Sequence, residues 1–380
     1  MSSENFHSNA ILLVIALGLL AWAFSIALMP ESAFTDALHH LTLSKSIAET
    51  GIVKTDSALN PPLYHIIAAG FITVFGFNSW AFKAVAFLFA IAFLLSCYFL
   101  FKKLLPKDHG LALVLTLFNP VLLLYFSTNY TDVSAALFLV LSCFFLFRFN
   151  ESKTAVSAGC FLVFIALGFL SKATFWVAVP VLLIAFCYSI FRKDKSFNAK
   201  AMIALVAAYF VFALIAGEGS FYYRYFIPAF PLLSVLLVLL FNKKLLKFKA
   251  IFISLILIAS LVSLIFTVST ILAFKDNFDS QQDFYQFLSG LPKDSRIVVM
   301  PNDERRVKFY SGIDAIYFQN EFNSLENSRL ISRLKALNAT HIGIVCYKDF
   351  WYPEKISILE KAGLIKKQFQ GKCSQVFRIE

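Results

Sequence analysis

Residues 251–274 read IFISLILIASLVSLIFTVSTILAF, and Lys275-Asp276-Asn277-Phe278-Asp279 follow directly. A run of this length without Asp, Glu, Lys or Arg exceeds the ~20 residues that a helix needs to cross a ~30 Å hydrocarbon core. The run is therefore predicted to span a membrane. Beyond it the composition changes: the last 106 residues carry 16 Lys+Arg and 13 Asp+Glu. The boundary at 274/275 divides the chain into a membrane domain, 1–274, and a small soluble α/β domain, 275–380. Within the latter, Ile297–Met300, His341–Tyr347 and Gln375–Ile379 read as strands, and Asp279–Leu288, Ser324–Leu337 and Pro353–Ala362 as helices.

Upstream lie eight more runs of the same kind, at 10–29, 84–101, 110–126, 133–147, 154–170, 174–191, 201–216 and 225–241, none containing an acidic or basic residue. The whole chain of 380 residues is 59% hydrophobic and 15% charged, with 45 Phe and a mean hydropathy of +0.73. A soluble domain carries about 25% charged residues, so a water-soluble enzyme is excluded. The net charge of +11 is no sign of nucleic acid, because the basic residues cluster between apolar runs as in cytoplasmic membrane loops. The first run has no Lys or Arg ahead of it and no small-residue cleavage site after it, which predicts an uncleaved anchor. Cys97, Cys143, Cys160 and Cys187 fall within apolar runs and act as small hydrophobes. Cys346 and Cys373 lie in the polar tail, where spacing alone decides neither pairing nor a metal.

The stretch Pro61–Phe77 is apolar but opens on Pro61-Pro62 and contains His65, Gly70 and Gly76. If it does not cross, the loops at 102–109, 148–153, 192–200 and 242–249 share one side and hold thirteen basic residues, against two, Lys172 and Arg224, in the short loops opposite. The positive-inside rule puts the thirteen in the cytoplasm. On that reading 61–77 is a re-entrant or surface-lying helix within an outer loop, 30–83. The outer side then gathers that loop, Ser127–Asp132, Ser171-Lys172, 217–224 and the C-terminal tail. Charges are absent from the spans, which argues against an ion-coupled transporter. Polar residues sit instead at the outer span ends, where an enzyme would meet a lipid-linked substrate.

The outer loop carries Asp36, His39 and His40 on neighbouring faces of a helix ending at Gly51, whose lack of a side chain suits a C-cap, then Asn60-Pro61-Pro62-Leu63-Tyr64-His65. Further on come Asn119-Pro120, Asp132, Ser171-Lys172 and Arg224-Tyr225-Phe226-Ile227-Pro228-Ala229-Phe230-Pro231. In order and sidedness this series resembles the GT-C superfamily of polytopic membrane glycosyltransferases, particularly its protein mannosyltransferase and aminoarabinose transferase branch. That branch carries an Asp-Glu pair in its first outer loop, often a His shortly after, a Gly about 15 residues on, then Pro-Pro-Leu-Tyr. Here Asp36 and Gly51 are 15 residues apart and the resemblance runs over essentially the whole chain. Ala37 replaces the Glu of the pair.

The resemblance implies an α-helical polytopic membrane protein of about nine transmembrane helices plus outer juxtamembrane helices, with an extracytoplasmic α/β tail. It implies transfer, with inversion, of a sugar from a polyprenyl-phosphate donor to a hydroxyl of a lipid, glycan or protein, at the outer face of the cell membrane. Direct displacement needs a group to accept the acceptor's proton and cations to neutralise the phosphate leaving group. Asp36 is the candidate base, where the competing reading is a helix cap, and Asp132 is the second carboxylate. Lys172 and Arg224 are the candidate phosphate clamps, where the alternative is snorkelling to headgroups. His40, Tyr64, His65, Tyr223 and Tyr225 are candidate substrate-binding residues, although tyrosines at span ends also form aromatic belts. His39, His40 and His65 with Glu31 and Asp36 have the donor chemistry of a metal site. Hydrogen-bonded neutral histidines leave the same pattern, and two cations already serve the phosphate, so no metal is assigned. The competing class is a non-catalytic protein handling lipid-linked sugars, a flippase or partner subunit, which Ala37 keeps open.

Overall fold

The computed structural model describes residues 3–30, 35–53, 60–128, 130–191, 196–216, 223–244, 249–300, 304–318, 322, 324–345, 353–371 and 374–380. Two compact units divide the chain: Met1–Glu31 with His40–Leu272, and Ser32–His39 with Ala273–Glu380. Glu31, Tyr222, Cys346 and Cys373 lie outside the described residues, as does the side chain of Tyr223.

The first unit is all helical. Its elements are α1 (Ser3–Leu28), most of α2 (Thr35–Thr50), α3 (Leu63–Phe75), α4 (Ser79–Leu104), α5 (His109–Leu117), α6 (Pro120–Phe126), α7 (Asp132–Ser152), α8 (Ala155–Phe169), α9 (Ala178–Phe191), α10 (Phe197–Ala216), α11 (Phe230–Lys244) and most of α12 (Lys249–Asp279), with 3-10 segments at Ala173–Val177 and Tyr223–Ala229. Among the described residues six helices are long and apolar enough to cross a membrane, or seven if the bent pair α5 and α6 is one span. The remaining apolar runs are shorter helices, Ala155–Phe169 and Arg224–Leu240, and Leu63–Phe75 is another of that kind. Leucines, isoleucines and phenylalanines stand exposed along α1, α9, α10 and α12, which is how lipid-facing helices read when no water surrounds them. By contrast α7 is enclosed on most sides, packed by α4, α8, α9 and the segment 223–229.

The predicted span 110–126 is built as two helices, bent by 62°. Pro120 lacks an N–H and breaks the ladder. The Asn119 side chain caps the second helix, accepting from Val121 N and Leu122 N at 3.0 Å. The carbonyls freed by the break find donors on other helices, Leu117 O from Trp22 Nε1 at 2.7 Å and Phe118 O from the Ser263 hydroxyl. An apolar bundle tolerates such a break only when the orphaned backbone groups are satisfied in this way.

The second unit holds α13 (Gln282–Ser289), β1 (Arg296–Met300), α14 (Glu304–Ser311), β2 (Asp314–Tyr317), α15 (Asn327–Ala336), β3 (His341–Val345), α16 (Pro353–Lys361), β4 (Ile365–Gln370) and β5 (Ser374–Ile379). The sheet order is β2-β1-β3-β5-β4, with the first three strands parallel and the last two antiparallel to their neighbours. Period-two alternation sends Val298, Met300, Ile342, Ile344 and Phe377 to one core with Leu330, Leu334 and Leu359, and Ile297, Val299, Val345 and Val376 to the other with Phe284, Leu288 and Val307. Two strands, β2 and β4, and helix α14 are additions to the sequence reading, and the helices predicted at 279–288 and 324–337 begin three residues later.

Candidate active site

Within the first unit, segments far apart in sequence meet around one histidine. His40 is buried in α2, with its Nδ1 3.1 Å from His65 Nε2 and its Nε2 3.5 Å from Thr131 Oγ1. Its ring faces the edges of Tyr64 at 6.4 Å and Tyr130 at 6.2 Å between centroids. Tyr64 and His65 occupy the first turn of α3 and are themselves buried; Tyr64 stacks on Phe89 of α4 at 5.4 Å. These contacts explain why Pro61-Pro62 precede the helix: they set its start, since Pro suits the edge of a helix and not its interior.

Arg224 reaches the same group from the 3-10 segment. Its guanidinium carbon lies 5.6 Å from the Tyr130 ring and 5.1 Å from the Tyr225 ring, within cation–π range. Arg224 Nη2 also donates to Tyr225 Oη at 3.3 Å. From the other side, buried Lys172 donates to Asn60 Oδ1 at 2.8 Å, and Leu63 N donates to Leu170 O at 3.0 Å, tying the turn before Lys172 to the entry of α3. A chain of contacts thus runs from Lys172 through residues 60–65, His40 and Tyr130 to Arg224.

Asp132 is the first residue of α7, where a negative charge suits the helix dipole; the N-cap position belongs to Thr131. The Asp132 carboxylate is fully buried, and neither oxygen has a hydrogen-bond partner among the described residues. Thr174 Oγ1 and Tyr209 Oη are among the buried hydroxyls that share that state, and Tyr209 lies within electrostatic reach of Asp132. Buried polar atoms left open are costly in an apolar bundle and are normally completed by water, an ion or a ligand.

Asp36 lies in the first turn of α2, one turn ahead of His40. It falls in the second unit, where Arg305 Nη1 of α14 stands 3.5 Å from its Oδ1. Ala37, in place of the expected glutamate, is fully buried. Gly51 ends α2 at φ +67°, with its N–H on Ile47 O at 2.8 Å, a left-handed C-cap that favours glycine. Among the described residues no group of three or more His, Cys, Asp or Glu is arranged to hold a metal ion.

Sequence reasoning passed over Tyr130, Thr131, Asn60, Tyr209 and Arg305. Tyr209 had a signal, as a hydroxyl midway along an otherwise apolar run. Arg305 had none, because a basic residue in a soluble helix is ordinary.

The chain is an integral membrane protein by its long apolar helices, and its fold is shared with solved structures of other proteins. Residues 59–221 match the family profile described as dolichyl-phosphate-mannose-protein mannosyltransferase. Two crystal structures of ArnT from Cupriavidus metallidurans, one apo and one bound to undecaprenyl phosphate, superpose with a TM-score of 0.58 at 11% identity, covering 98% of either chain. The oligosaccharyltransferase of Archaeoglobus fulgidus, in complex with Zn and sulfate, superposes at 0.52 with 12% identity, over 87% of this chain and 67% of that one. Among curated protein sequences there is no match.

Proposed function

We propose that the protein is a glycosyltransferase that moves a sugar from a polyprenyl-phosphate-linked donor to a hydroxyl on a lipid, glycan or protein acceptor, at the extracytoplasmic face of the cell membrane. The observation that carries this reading is the link between Lys172 and Arg224. These two basic residues of the sparsely charged loops are tied by contacts to one histidine and tyrosine group. Cations so placed suit a phosphate leaving group, which needs charge neutralisation and no acid. The undecaprenyl phosphate held by the ArnT structure is a ligand of that chemistry.

In the reaction, the acceptor oxygen forms a bond to C1 of the sugar as the bond from C1 to the phosphate oxygen breaks. The electron pair leaves with the polyprenyl phosphate, and the configuration at C1 inverts. The acceptor's proton passes to Asp36, the only carboxylate of the expected pair. Asp132 serves as an acceptor for hydroxyls of the sugar or acceptor, which would complete its open oxygens. His40, Tyr64, His65 and Tyr225 shape the binding wall. Buried Ala37 favours a mechanism with one base in this loop; the same replacement also fits a non-catalytic flippase or partner subunit.

The test uses purified protein in lipid nanodiscs. Undecaprenyl phosphate should bind, as followed by native mass spectrometry, and label should move from undecaprenyl-phosphate sugars to acceptor. Binding without transfer of any sugar in the series, or with transfer unaffected by Asp36→Asn, would favour the non-catalytic reading.

A further inference from the structure

Inside the C-terminal unit, a hollow of about 460 Å³ opens at one end of the sheet, a size within the range of small-molecule sites, about 300–1,000 Å³. Its walls are the turn at 291–295 ahead of β1, the end of α15, the start of β3, and the chain around Gln368 of β4 and the end of β5. None of these residues belongs to the candidate active site. Helix α13 buries Phe284 and Leu288, and the chain then turns into β1 with Ser295 N on Pro292 O at 2.9 Å. His341 and Arg378 are opposite each other in the β3–β5 register and so share a face. The buried His341 ring is fixed on both edges, Nδ1 at 2.8 Å from Thr340 Oγ1 and Nε2 at 3.1 Å from Gln368 Oε1.

Four charged side chains line the hollow, Asp294, Lys335, Arg378 and Glu380. Among the described residues none of them forms an ion pair or a side-chain hydrogen bond. Arg378 and Glu380 are two residues apart, the spacing that puts side chains on one face of a strand, so both signs meet at the end of β5. An anion here would meet Asp294 and Glu380, and a cation would meet Lys335 and Arg378. A neutral polyhydroxylated molecule meets neither repulsion, because each hydroxyl can donate to a carboxylate or accept from a cation. The C–H faces of sugar rings suit Leu291, Pro292 and Ile379, which line the same hollow.

We propose that this hollow is a binding site for a short neutral oligosaccharide, which makes the C-terminal unit a carbohydrate-recognition module. The inference stands on the hollow alone and does not depend on which residue is the base.

The experiment uses the full chain in nanodiscs and saturation-transfer NMR, with trisaccharides of mannose, of glucose and of N-acetylglucosamine as the probes. At least one should bind, and Asp294→Ala, Lys335→Ala and Arg378→Ala should each weaken it about tenfold. All three positions are exposed, so thermal midpoints should stay near that of the wild type; for a variant whose midpoint falls, Asp294→Asn, Lys335→Gln or Arg378→Gln replaces it. Inorganic phosphate should not displace the bound sugar, and Arg224→Ala should bind it as the wild type does. The proposal is overturned if none of the three sugars binds, or if binding is unchanged in the Asp294→Ala/Lys335→Ala double variant. Displacement by phosphate would make the hollow an anion site, and binding lost only in Arg224→Ala would belong to the candidate active site; either result overturns it too.

Discussion

Lys172 Nζ donates a 2.8 Å hydrogen bond to Asn60 Oδ1, so a buried ammonium is held by a neutral acceptor. Among the described residues no carboxylate pairs with it. Among the described residues this cation is oriented by a neutral acceptor, which suits an incoming phosphate. Asn60→Asp should therefore weaken undecaprenyl phosphate binding about tenfold by supplying a competing anion of the same size, while Asn60→Ala weakens it less. Native mass spectrometry titrations of the two variants check this; equal affinities in both would make Lys172 a structural anchor only.

The Arg224 guanidinium carbon lies 5.6 Å from the Tyr130 ring and 5.1 Å from the Tyr225 ring. A flat guanidinium can stack on a ring and donate from its edge, and an ammonium cannot. Arg224→Ala should lose at least tenfold in turnover and Arg224→Lys should recover only part, with thermal midpoints near that of the wild type. Near-normal turnover in Arg224→Ala would make the residue an interfacial anchor.

Most of the membrane domain was legible because long apolar runs without a single charge are stable in lipid and not in water. Where the reading was incomplete, the reason was local. The run 110–126 is apolar throughout, and only the pairing of the Leu117 and Phe118 carbonyls with Trp22 and Ser263, two distant donors, shows how a broken helix is tolerated. Short β2 and β4 were missed because charged and polar residues dilute their alternation: Ile365–Gln370 reads IKKQFQ, an edge strand with Lys366 and Lys367 exposed, as edges commonly are. At the candidate site, histidine, lysine and arginine positions could be read from order and sidedness. Tyr130 could not, since its role as the link between His40 and Arg224 is purely spatial.

Close packing beside the Lys172 turn gives a further expectation. A Cβ on Gly168 would sit 2.4 Å from the Phe175 ring, and Phe175 is fully buried. Gly168→Ala should cost about 1–3 kcal/mol by overpacking, seen as a lower thermal midpoint. Phe175→Leu in the same background should restore part of it. An unchanged midpoint in Gly168→Ala would mean that the turn has room to move.

The C-terminal unit should be acid-sensitive through His341. Burial is the main cause that holds this imidazole below its usual value, with Arg378 adding to the effect and a hydrogen bond to Gln368 opposing it. The unfolded chain then binds the proton more readily than the folded one. Stability is full above about 6.5, the unfolded value, and falls as pH drops through the lower folded value. Thermal midpoints of the full chain should decline between pH 7.5 and 5, with a shallower slope in His341→Gln. Identical slopes would remove His341 as the source.

Turnover of Asp36→Asn is the measurement closest to the central claim. A positioned general base contributes 10² to 10⁴-fold, or roughly 3 to 5 kcal/mol of barrier. Asparagine keeps the size and capping ability of aspartate while removing its basicity. With labelled undecaprenyl-phosphate sugar in nanodiscs, Asp36→Asn should release undecaprenyl phosphate at least ~100-fold more slowly than the wild type, with undecaprenyl phosphate affinity and thermal midpoint nearly unchanged. Wild-type turnover in Asp36→Asn beside an inactive Asp132→Asn would move the base to α7, and wild-type turnover in both would contradict displacement assisted by a carboxylate in this chain.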